Sequence, residues 1–332
     1  MTVLVTGASG FIGGHIAEAL QQAGHRVRAT YRRTTPPPHL VALREAGAQL
    51  LQADLTKPGA AATTVEGVET VVHAAARADY FGSLAWFQRD NVQVTASLLD
   101  AAARGGCGVF VQVSSIAVHG FGQHRNTTEE GPYYPLSDPY TTTKWQAEQL
   151  VLAANGPQLR TLALRPSNVY GPRDTTVTTR VMDTIKRGVL PLIDGGEHLT
   201  SLVYVTDVAR AVIAALKLES TGGRAFNICH PELVTMAEVL QAGANLLRMR
   251  LRRLPLSPRL ARFVAGLSEM VAWLPGIASP SLTRPLVEQL SHDFHFSADL
   301  ASQALDVTPQ VGWRDGVLRT LRTFFPEADL HW

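Results

Sequence analysis

Residues 6–13 of the chain are Thr6-Gly7-Ala8-Ser9-Gly10-Phe11-Ile12-Gly13, and they follow the short apolar run Val3-Leu4-Val5. From Gly14 to Ala23 apolar residues recur at helical spacing, so the glycines join a predicted buried strand to a predicted helix. In this setting the three glycines permit a tight turn, close approach of backbone to a pyrophosphate, and close packing of helix on strand. Free N–H groups at the start of the helix favour phosphate. The segment therefore predicts a dinucleotide-binding turn.

Beyond this turn, short apolar runs alternate with helical periodicity through the first half of the chain. This alternation predicts an α/β fold of the Rossmann type, with a doubly wound parallel sheet and a smaller, mostly α C-terminal substrate lobe. We assign residues 1–169 to a nucleotide-binding domain and residues 170–332 to the substrate lobe. The predicted strands are 26–31, 49–54, 70–74, 109–113 and 161–164, with strands near 202–206 and 225–229 returning to the main sheet.

The composition excludes several functional classes. The 332 residues include 30 basic and 28 acidic ones, and a net charge of +2 gives no overall field for nucleic acid. Cys107 and Cys229 have neither metal-ligand nor redox spacing, so we predict buried, reduced thiols and no metal. With neither a signal-peptide pattern nor a run of about 18 apolar residues, we expect a cytoplasmic protein.

The end of the second predicted strand bears on which nicotinamide cofactor binds. A site for NAD usually has an Asp or Glu here that accepts from the ribose hydroxyls. This chain has Thr30-Tyr31-Arg32-Arg33 and no acid. A guanidinium makes charge-assisted, fork-shaped contacts with phosphate, so Arg32 or Arg33 favours the 2′-phosphate of NADP. We predict NADP, with NAD as the alternative cofactor and a solvated arginine pair as the structural alternative.

Two further strand ends have residues that suit a dinucleotide. Asp54, which precedes Leu55, can accept from an adenine amino group. Ala74, Ala75 and Ala76 have side chains small enough to let backbone approach a cofactor. The same residues also occur at the ends of strands that bind no ligand. These positions therefore support a dinucleotide site only in combination with the other motifs.

A tyrosine and a lysine downstream form a candidate proton-transfer pair. Tyr140 and Lys144 are four residues apart and share one face of a predicted helix. A tyrosine hydroxyl has a pKa near 10, and a nearby ammonium is expected to lower that pKa. Ser115, after Ser114 at the end of the fifth predicted strand, can orient a carbonyl oxygen. In a sheet already predicted to bind a dinucleotide, these groups favour proton transfer coupled to hydride transfer.

Taken together, the motifs resemble those of the extended short-chain dehydrogenases/reductases. This class contains nucleotide-sugar epimerases and dehydratases, dihydroflavonol reductases and 3β-hydroxysteroid dehydrogenases. The resemblance spans nearly the whole chain and is specific for the superfamily rather than for a substrate. The matching segments are TGASGFIG (6–13), DL (54–55), HAAA (73–76), Asn91, VSSIAVHG (113–120), YTTTK (140–144), RPSNVYGP (165–172) and YVTDVA (204–209).

The resemblance implies roles for individual residues. It implies that Ser115 orients the carbonyl, Tyr140 is the acid/base, Lys144 is its partner, and Asn91 supports the loops after the fourth and fifth strands. It also implies a homodimer formed through helices that flank the active site. The residues expected to contact the cofactor are Gly7, Ser9, Gly10, Phe11, Ile12, Gly13, Arg32, Arg33, Asp54, Leu55, Ala74, Ala75, Ala76, Val113, Tyr140, Lys144, Pro166, Ser167, Asn168 and Val169.

Departures from the family pattern narrow the subclass. Sugar-nucleotide dehydratases resemble one another in an acid pair after the orienting serine, and this chain has Ile116-Ala117 there. Enzymes of diphosphate-bearing sugars tend to have an arginine where this chain has Thr200-Ser201. His119 stands where the family usually has tyrosine, and a pocket role and a packing role are both open.

The region 248–277 begins with an arginine-rich, strand-like run, Arg248–Arg253. The segment Leu254–Ile277 that follows is rich in apolar residues. An amphipathic helix packed on the core explains the pattern. An apolar lid over a hydrophobic substrate, with arginines in peripheral contact with lipid headgroups, is the alternative.

The sequence thus predicts an NADP-dependent oxidoreductase that interconverts a carbonyl and a secondary alcohol. The expected substrate is small and hydrophobic, similar to a steroid, a flavonoid or a β-keto-acyl compound, and the branch is that of 3β-hydroxysteroid dehydrogenase and dihydroflavonol reductase. A nucleotide-sugar epimerase is the first alternative. A non-catalytic NADP-binding regulatory protein is the second, because a fold alone does not confer activity.

Overall fold

The computed structural model describes residues 1–218, 222–274, 280 and 282–332. The strands are β1 (Thr2–Thr6), β2 (Arg26–Tyr31), β3 (Gln49–Gln52), β4 (Thr70–His73), β5 (Val109–Val113), β6 (His124–Thr127), β7 (Arg160–Pro166), β8 (Asn168–Tyr170), β9 (Val189–Ile193), β10 (Leu199–Thr200), β11 (Leu202–Tyr204), β12 (Arg224–Ile228), β13 (Val234–Thr235), β14 (Arg252–Leu256) and β15 (Phe294–Phe296). The helices are α1 (Phe11–Gln22), α2 (Pro38–Glu45), α3 (Ala60–Val65), α4 (Leu84–Phe87), α5 (Val94–Arg104), α6 (Pro139–Ala153), α7 (Val177–Arg187), α8 (Val205–Lys217), α9 (Met236–Leu246), α10 (Pro258–Ala272), α11 (Arg284–Leu290), α12 (Asp299–Leu305) and α13 (Trp313–Phe324).

Seven parallel strands form the main sheet in the order β12-β7-β5-β4-β1-β2-β3. The chain leaves β1 in one direction to form β2 and β3 and returns on the other side to form β4, so the strand order reverses beside β1. Ligands of open α/β sheets bind in the crevice outside the carboxyl ends of the strands at such a reversal. The glycine turn after β1 lies at this point, which confirms the predicted Rossmann-type fold.

Helices cover both faces of this sheet, which explains the consecutive apolar residues in the middle of its central strands β1, β4 and β5. Val3 and Val5 of β1 belong to one buried layer, together with Ile16 of α1. Leu4 points to the opposite face and packs in a second layer with Leu98 of α5. Successive side chains of a strand point to opposite faces, so burial on both sides requires an unbroken apolar run.

Two strands were predicted to return to the main sheet, and one of them does. Strand β12 pairs with β7 in parallel, which confirms the prediction near 225–229. Strand β11 instead pairs with β8 in a separate two-stranded sheet, so the prediction for residues 202–206 is wrong. The physical reason is that β12 occupies the edge of β7, so the backbone groups of β7 on that side are already hydrogen-bonded and cannot pair with β11.

The smaller lobe is built around a four-stranded sheet of order β13-β10-β15-β6. Strand β6 comes from within residues 1–169, so this lobe takes one strand from the range assigned to the first domain. The division at residues 169 and 170 stays a prediction. Both cysteines are buried and free, as predicted.

The region 248–277 differs from its prediction in detail. The strand is β14, which starts at Arg252, and the helix is α10, which starts at Pro258 rather than at Leu254. Ser257 caps α10 by accepting a hydrogen bond from the Leu260 N–H, and Pro258 suits the first helical position. Residues 275–277 of the predicted segment lie outside the described residues. No helix in the described part of the chain is long and apolar enough to cross a membrane.

Candidate active site

Helix α6 brings Tyr140 and Lys144 to the carboxyl end of the main sheet. Asp138 caps the helix by accepting from the Thr141 N–H at 3.0 Å, and Pro139 occupies the first helical position. These two signals start the helix one residue before Tyr140. Tyr140 is half-buried and Lys144, one turn later on the same face, is buried.

The side chain of Ser115 lies close enough to the hydroxyl of Tyr140 to affect its pKa. Ser115 precedes a 3-10 turn at Ile116–His119, and its Oγ accepts from the Ala117 N–H at 3.2 Å, which leaves its hydrogen free to donate. Burial raises the pKa of Tyr140, whereas the polar side chain of Ser115 opposes this rise. The expectation that the lysine lowers this pKa is therefore wrong for the structure without cofactor. At neutral pH Tyr140 is a protonated phenol.

Lys144 is oriented by the strand that precedes Ser115. Its Nζ donates to the carbonyl oxygen of Val113 at 2.6 Å. Burial lowers the pKa of Lys144 to about 8, and the negative charge of Glu148 one turn along α6 opposes this shift. The structure thus brings together Ser115, Tyr140 and Lys144, as the sequence predicts, and adds Val113 as the residue that positions the ammonium.

Asn91 connects the loop after β4 to the catalytic helix. It lies in a π-helical segment, Gln88–Gln93. Its Oδ1 accepts from the Arg77 N–H at 2.7 Å, and its Nδ2 donates to Thr143 Oγ1 at 3.1 Å. The sequence predicted support for the loops after β4 and β5. The structure joins the loop after β4 to α6 instead, because Thr143 lies between Tyr140 and Lys144 and faces this amide.

The glycine turn has the geometry that a pyrophosphate requires. A Cβ on Gly7 would lie 2.7 Å from backbone atoms of Ala75, and one on Gly13 would lie 2.4 Å from the Gly7 carbonyl oxygen. Helix α1 has no capping side chain at Gly10 and no acid in its first turn, so its first N–H groups and positive dipole end suit an anion. The turn therefore fits the cofactor that the sequence predicts.

A buried histidine beside this turn was not predicted. His73, at the end of β4, is hydrogen-bonded through Nδ1 to Thr6 Oγ1 at 2.8 Å and through Nε2 to Thr95 Oγ1 at 2.9 Å. Thr6 Oγ1 also accepts from the Ala75 N–H at 3.2 Å. The network holds the ends of β1 and β4 together where the dinucleotide is expected. The HAAA motif contains His73, but nothing in the motif shows that its ring faces Thr6.

The second and third strands bring Arg32 close to Asp54. Arg32 and Arg33 are exposed just beyond β2, and Asp54 follows β3. Asp54 Oδ1 accepts from the hydroxyl of Thr56 at 2.7 Å and from its N–H at 3.1 Å. These bonds lower the pKa of Asp54, and the charge of Arg32 acts in the same direction. The pair lies where the adenosine end of a dinucleotide is expected.

The segment from Pro166 to Val169 connects the sheet to the smaller lobe. The hydroxyl of Ser167 is buried without a hydrogen-bond partner among the described residues, so a ligand could provide one. Asn168 Oδ1 accepts from Gln289 Nε2 at 3.0 Å, and Gln289 Oε1 accepts from the Tyr80 hydroxyl at 3.3 Å. The ring of Tyr80 packs edge-on against Tyr140, with centroids 5.5 Å apart.

Tyr80 and Gln289 are site residues that sequence reasoning missed. Tyr80 lies in a loop without periodicity, and Gln289 is on α11 in the other lobe, 209 residues further along the chain. Neither belongs to a motif. Only the fold brings them to Tyr140.

His119 proves to be a packing residue rather than a pocket residue. It is fully buried, stacks on Tyr133 with centroids 4.4 Å apart, and its Nε2 is 3.0 Å from Arg165 Nη1. Arg165 is paired with Glu148 at 2.6 Å, and Glu148 Oε2 accepts from the Ser114 hydroxyl at 2.6 Å. Because Arg165 can only donate, Nε2 of His119 is the unprotonated nitrogen.

Two of the buried histidines, His73 and His119, predict how stability depends on pH. Burial lowers the pKa of His73 and of His119 to about 3, from 6.5 in the unfolded chain. The unfolded chain therefore binds more protons below pH 6.5, and we expect the free energy of unfolding to fall as pH drops from about 6.5 toward 3, by about 1.4 kcal/mol per pH unit for each group at most. Urea unfolding of the wild type at several pH values between 6.5 and 5 measures this slope.

The variant His119→Gln removes one of the two groups and keeps an acceptor for Arg165. We expect it to reduce the slope, whereas His331→Gln, at the exposed C-terminus, should leave the slope unchanged. A wild-type stability that is independent of pH in this range would contradict the assignment.

Comparison with known proteins agrees with the geometry. The model of the NAD dependent epimerase/dehydratase family matches residues 3–229, which is more than half of the chain. The chain belongs to this family. Within it, the chain is an extended short-chain dehydrogenase/reductase of the 3β-hydroxysteroid dehydrogenase-like branch. It is accordingly an NAD(P)-dependent oxidoreductase acting on CH–OH and C=O groups.

Several members of the family are similar over nearly their full length. A 2-alkyl-3-oxoalkanoate reductase of Stenotrophomonas maltophilia is 31% identical over 96% of this chain and 98% of its own. A 3 beta-hydroxysteroid dehydrogenase/Delta 5-->4-isomerase of Mycobacterium tuberculosis is 30% identical over 92% of this chain and 86% of its own. The solved structure of MoeE5 with UDP-glucuronic acid and NAD is 26% identical, with a TM-score of 0.78 over 98% of this chain and 99% of that one.

Proposed function

We propose that this family member is an NADP-dependent carbonyl reductase or alcohol dehydrogenase for a hydrophobic substrate, with Ser115, Tyr140 and Lys144 as its catalytic residues. The observation that supports it best is that the side chains of Tyr140 and Ser115 interact at the carboxyl end of the sheet, with the buried Lys144 one helical turn from Tyr140. A reacting carbonyl oxygen between the two hydroxyls would accept from both. A non-catalytic regulatory protein would have no need of this arrangement.

The mechanism follows from the state of each group. The bound reduced nicotinamide supplies the hydride. In reduction, Tyr140 gives its phenolic proton to the carbonyl oxygen, and Ser115 donates a hydrogen bond that orients this oxygen. Because burial raises the pKa of Tyr140, the proton is present at neutral pH. The ammonium of Lys144, held by the Val113 carbonyl oxygen, would bind the ribose of the nicotinamide.

The preference for NADP depends on Arg32. Residues Thr30 to Arg33 contain no acid for the ribose hydroxyls, and Arg32 is exposed beside Asp54 at the adenosine end of the site. We expect Arg32→Ser to weaken NADPH binding about 10- to 100-fold, because a hydrogen bond to a charged group contributes about 1.5–3 kcal/mol. NADH binding should change little. Titration of both cofactors by intrinsic fluorescence measures this.

The control is Arg44→Ser, which removes an exposed arginine from α2, away from the strand ends. It should leave both affinities unchanged. Equal losses for NADPH and NADH in Arg32→Ser, or tighter binding of NADH by the wild type, would contradict the NADP assignment.

Aromatic residues support a hydrophobic substrate. Tyr80, which touches Tyr140, also packs against Phe121 with centroids 5.7 Å apart. Phe81 packs against Trp273 at 5.0 Å. The acid pair of dehydratases and the arginine of diphosphate-binding enzymes have no counterpart in the sequence. The names of two relatives, an oxoalkanoate reductase and a steroid dehydrogenase, fit the same class of substrate.

Consumption of NADPH tests the function. The full chain is mixed with NADPH and a panel of 2-alkyl-3-oxoalkanoates, 3-ketosteroids and short ketones, and the absorbance of the reduced cofactor is followed. We expect net oxidation with at least one apolar ketone. A nucleotide-sugar epimerase, which the likeness to MoeE5 keeps as the second candidate, would interconvert UDP-sugars without net oxidation. Epimerisation of a UDP-sugar with no ketone reduced would overturn the proposal.

We also propose a homodimer in which α5 and α6 form the interface, as the resemblance implies. Trp145 of α6 is 39% exposed, so this helix has apolar area to bury against a second copy.

A further inference from the structure

The apolar side of helix α10 faces solvent. Six large apolar residues recur at spacings of three and four along it, and the buried residues of the helix are Ala261, Ala265 and Ala272. Phe263 is 64% exposed and Met270 63%. A helix of a globular protein normally buries its apolar stripe, so this arrangement is reversed. The exposed residues are Leu260, Phe263, Val264, Leu267, Met270 and Val271.

Helix α10 is nevertheless firmly attached to the protein. A Cβ on Gly266 would lie 2.6 Å from the guanidinium of Arg284, which shows how closely α10 and α11 approach. Ser268 Oγ donates to the Leu282 carbonyl oxygen at 2.6 Å. Arg262 Nη2 donates to Glu288 Oε2 at 3.0 Å. These contacts hold the side of α10 with the buried alanines against the protein. The side with the large apolar residues is therefore exposed in the folded protein.

The sequence that leads into α10 has unpaired positive charge. Residues 248–268 contain six arginines and no acid. Of these arginines, Arg252 and Arg253 on β14 and Arg259 on α10 are exposed. None of the three has a carboxylate partner within 4.0 Å in the described residues, whereas Arg262 is paired with Glu288. The surface therefore combines an apolar stripe with a local excess of cations.

The C-terminal end of α10 reaches the candidate active site. Trp273 packs against Phe81 at 5.0 Å and against Trp86 at 6.5 Å. Phe81 follows Tyr80, whose ring contacts Tyr140. Trp86 and Leu84 are 47% and 50% exposed, so the apolar surface continues from the helix to the wall of the site.

We infer that α10, with the arginines of β14, is an interfacial helix that binds the surface of an anionic lipid bilayer and turns the mouth of the active site toward the lipid. An amphipathic helix with large apolar residues on one side and nearby arginines binds in this way, through apolar burial and attraction to anionic headgroups. The inference rests on the proposed function in one respect, since a hydrophobic substrate would then be taken from the bilayer. A second copy of the chain would not explain the excess of cations, because two identical basic surfaces repel each other.

Vesicle co-sedimentation tests the inference. The full chain, without cofactor or substrate, is spun with vesicles of phosphatidylcholine alone or of equal parts phosphatidylcholine and phosphatidylglycerol, at low and high salt. We expect pelleting with the anionic vesicles at low salt and a large loss at high salt. Phe263→Ser/Met270→Ser and Arg252→Glu/Arg253→Glu should each weaken binding at least 10-fold.

Matched controls change equally exposed residues elsewhere on the surface. Leu233→Ser and Arg44→Glu/Arg104→Glu should bind as the wild type does. Absence of pelleting with anionic vesicles at low salt, or binding that Phe263→Ser/Met270→Ser leaves unchanged, would overturn the inference. A third result would also overturn it: the wild type self-associates, Phe263→Ser/Met270→Ser abolishes this self-association, and no vesicle binds. The apolar side of α10 would then be an interface with a second copy of the chain.

A separate measurement distinguishes failure of the inference from failure of the proposed function. Reduction of a short, water-soluble ketone by NADPH reports on the catalytic residues without any lipid. Vesicle binding without reduction of any ketone would support the lipid-binding surface and would contradict the proposed reductase activity. Reduction of a ketone without vesicle binding would contradict only the inference that α10 binds lipid.

Discussion

Tyr140→Phe is expected to lower the rate of carbonyl reduction about 100- to 10,000-fold, the usual contribution of a positioned general acid. The change removes one oxygen atom and keeps the ring, so the packing against Tyr80 is preserved. Ser115 would keep its bond to the Ala117 N–H and lose only the phenol. The measurement is kcat for an apolar ketone with NADPH, together with the Kd of NADPH, which should change little.

Tyr133→Phe is the matched control for this prediction. The hydroxyl of Tyr133 donates to the Glu129 carbonyl oxygen at 2.6 Å, and its ring stacks on His119, away from Tyr140. The control should retain a rate within a few-fold of the wild type. If Tyr140→Phe and Tyr133→Phe had equal rates, the proton donor would have to be another group.

Glu148→Gln is expected to destabilise the protein by about 3–5 kcal/mol, the usual effect of removing one partner of a buried ion pair. Arg165 would stay positively charged with only 3% exposure and would face an amide instead of a carboxylate. The hydroxyl of Ser114, which donates to Glu148, would lose a charged acceptor as well. Urea denaturation followed by circular dichroism measures the free energy of unfolding.

Two further variants make this prediction specific. Asp100→Asn breaks the Asp100–Arg104 pair, whose side chains are 59% and 80% exposed, and should cost less than about 1 kcal/mol. Glu148→Met/Arg165→Met removes both buried charges and should recover much of the loss, because the desolvation of both ions is then avoided. A loss in Glu148→Gln as small as that in Asp100→Asn would show that the buried pair contributes little.

Sequence reasoning predicted those parts of the molecule whose conformation is set by residues close together in the chain. The glycine turn follows from the spacing of Gly7, Gly10 and Gly13, and Tyr140 and Lys144 share a face because a helix has 3.6 residues per turn. Strands buried on both faces contain runs of consecutive apolar residues, so β1, β4 and β5 were located correctly. The place of β11 could not be predicted, because it depends on which strand pairs with the free edge of β7.

The sequence by itself determined the Rossmann-type sheet and the glycine turn after β1, and it predicts Ser115, Tyr140 and Lys144 as catalytic residues, because each follows from short-range spacing or from a motif. Tertiary structure alone decided the direction of the pKa shift of Tyr140, the contact of Gln289 with Tyr80, and the side of α10 that meets solvent. The physical reason is that burial and electrostatic environment come from segments far apart in the chain. Helical spacing shows that α10 has an apolar stripe, but only packing against α11 decides that the stripe faces outward.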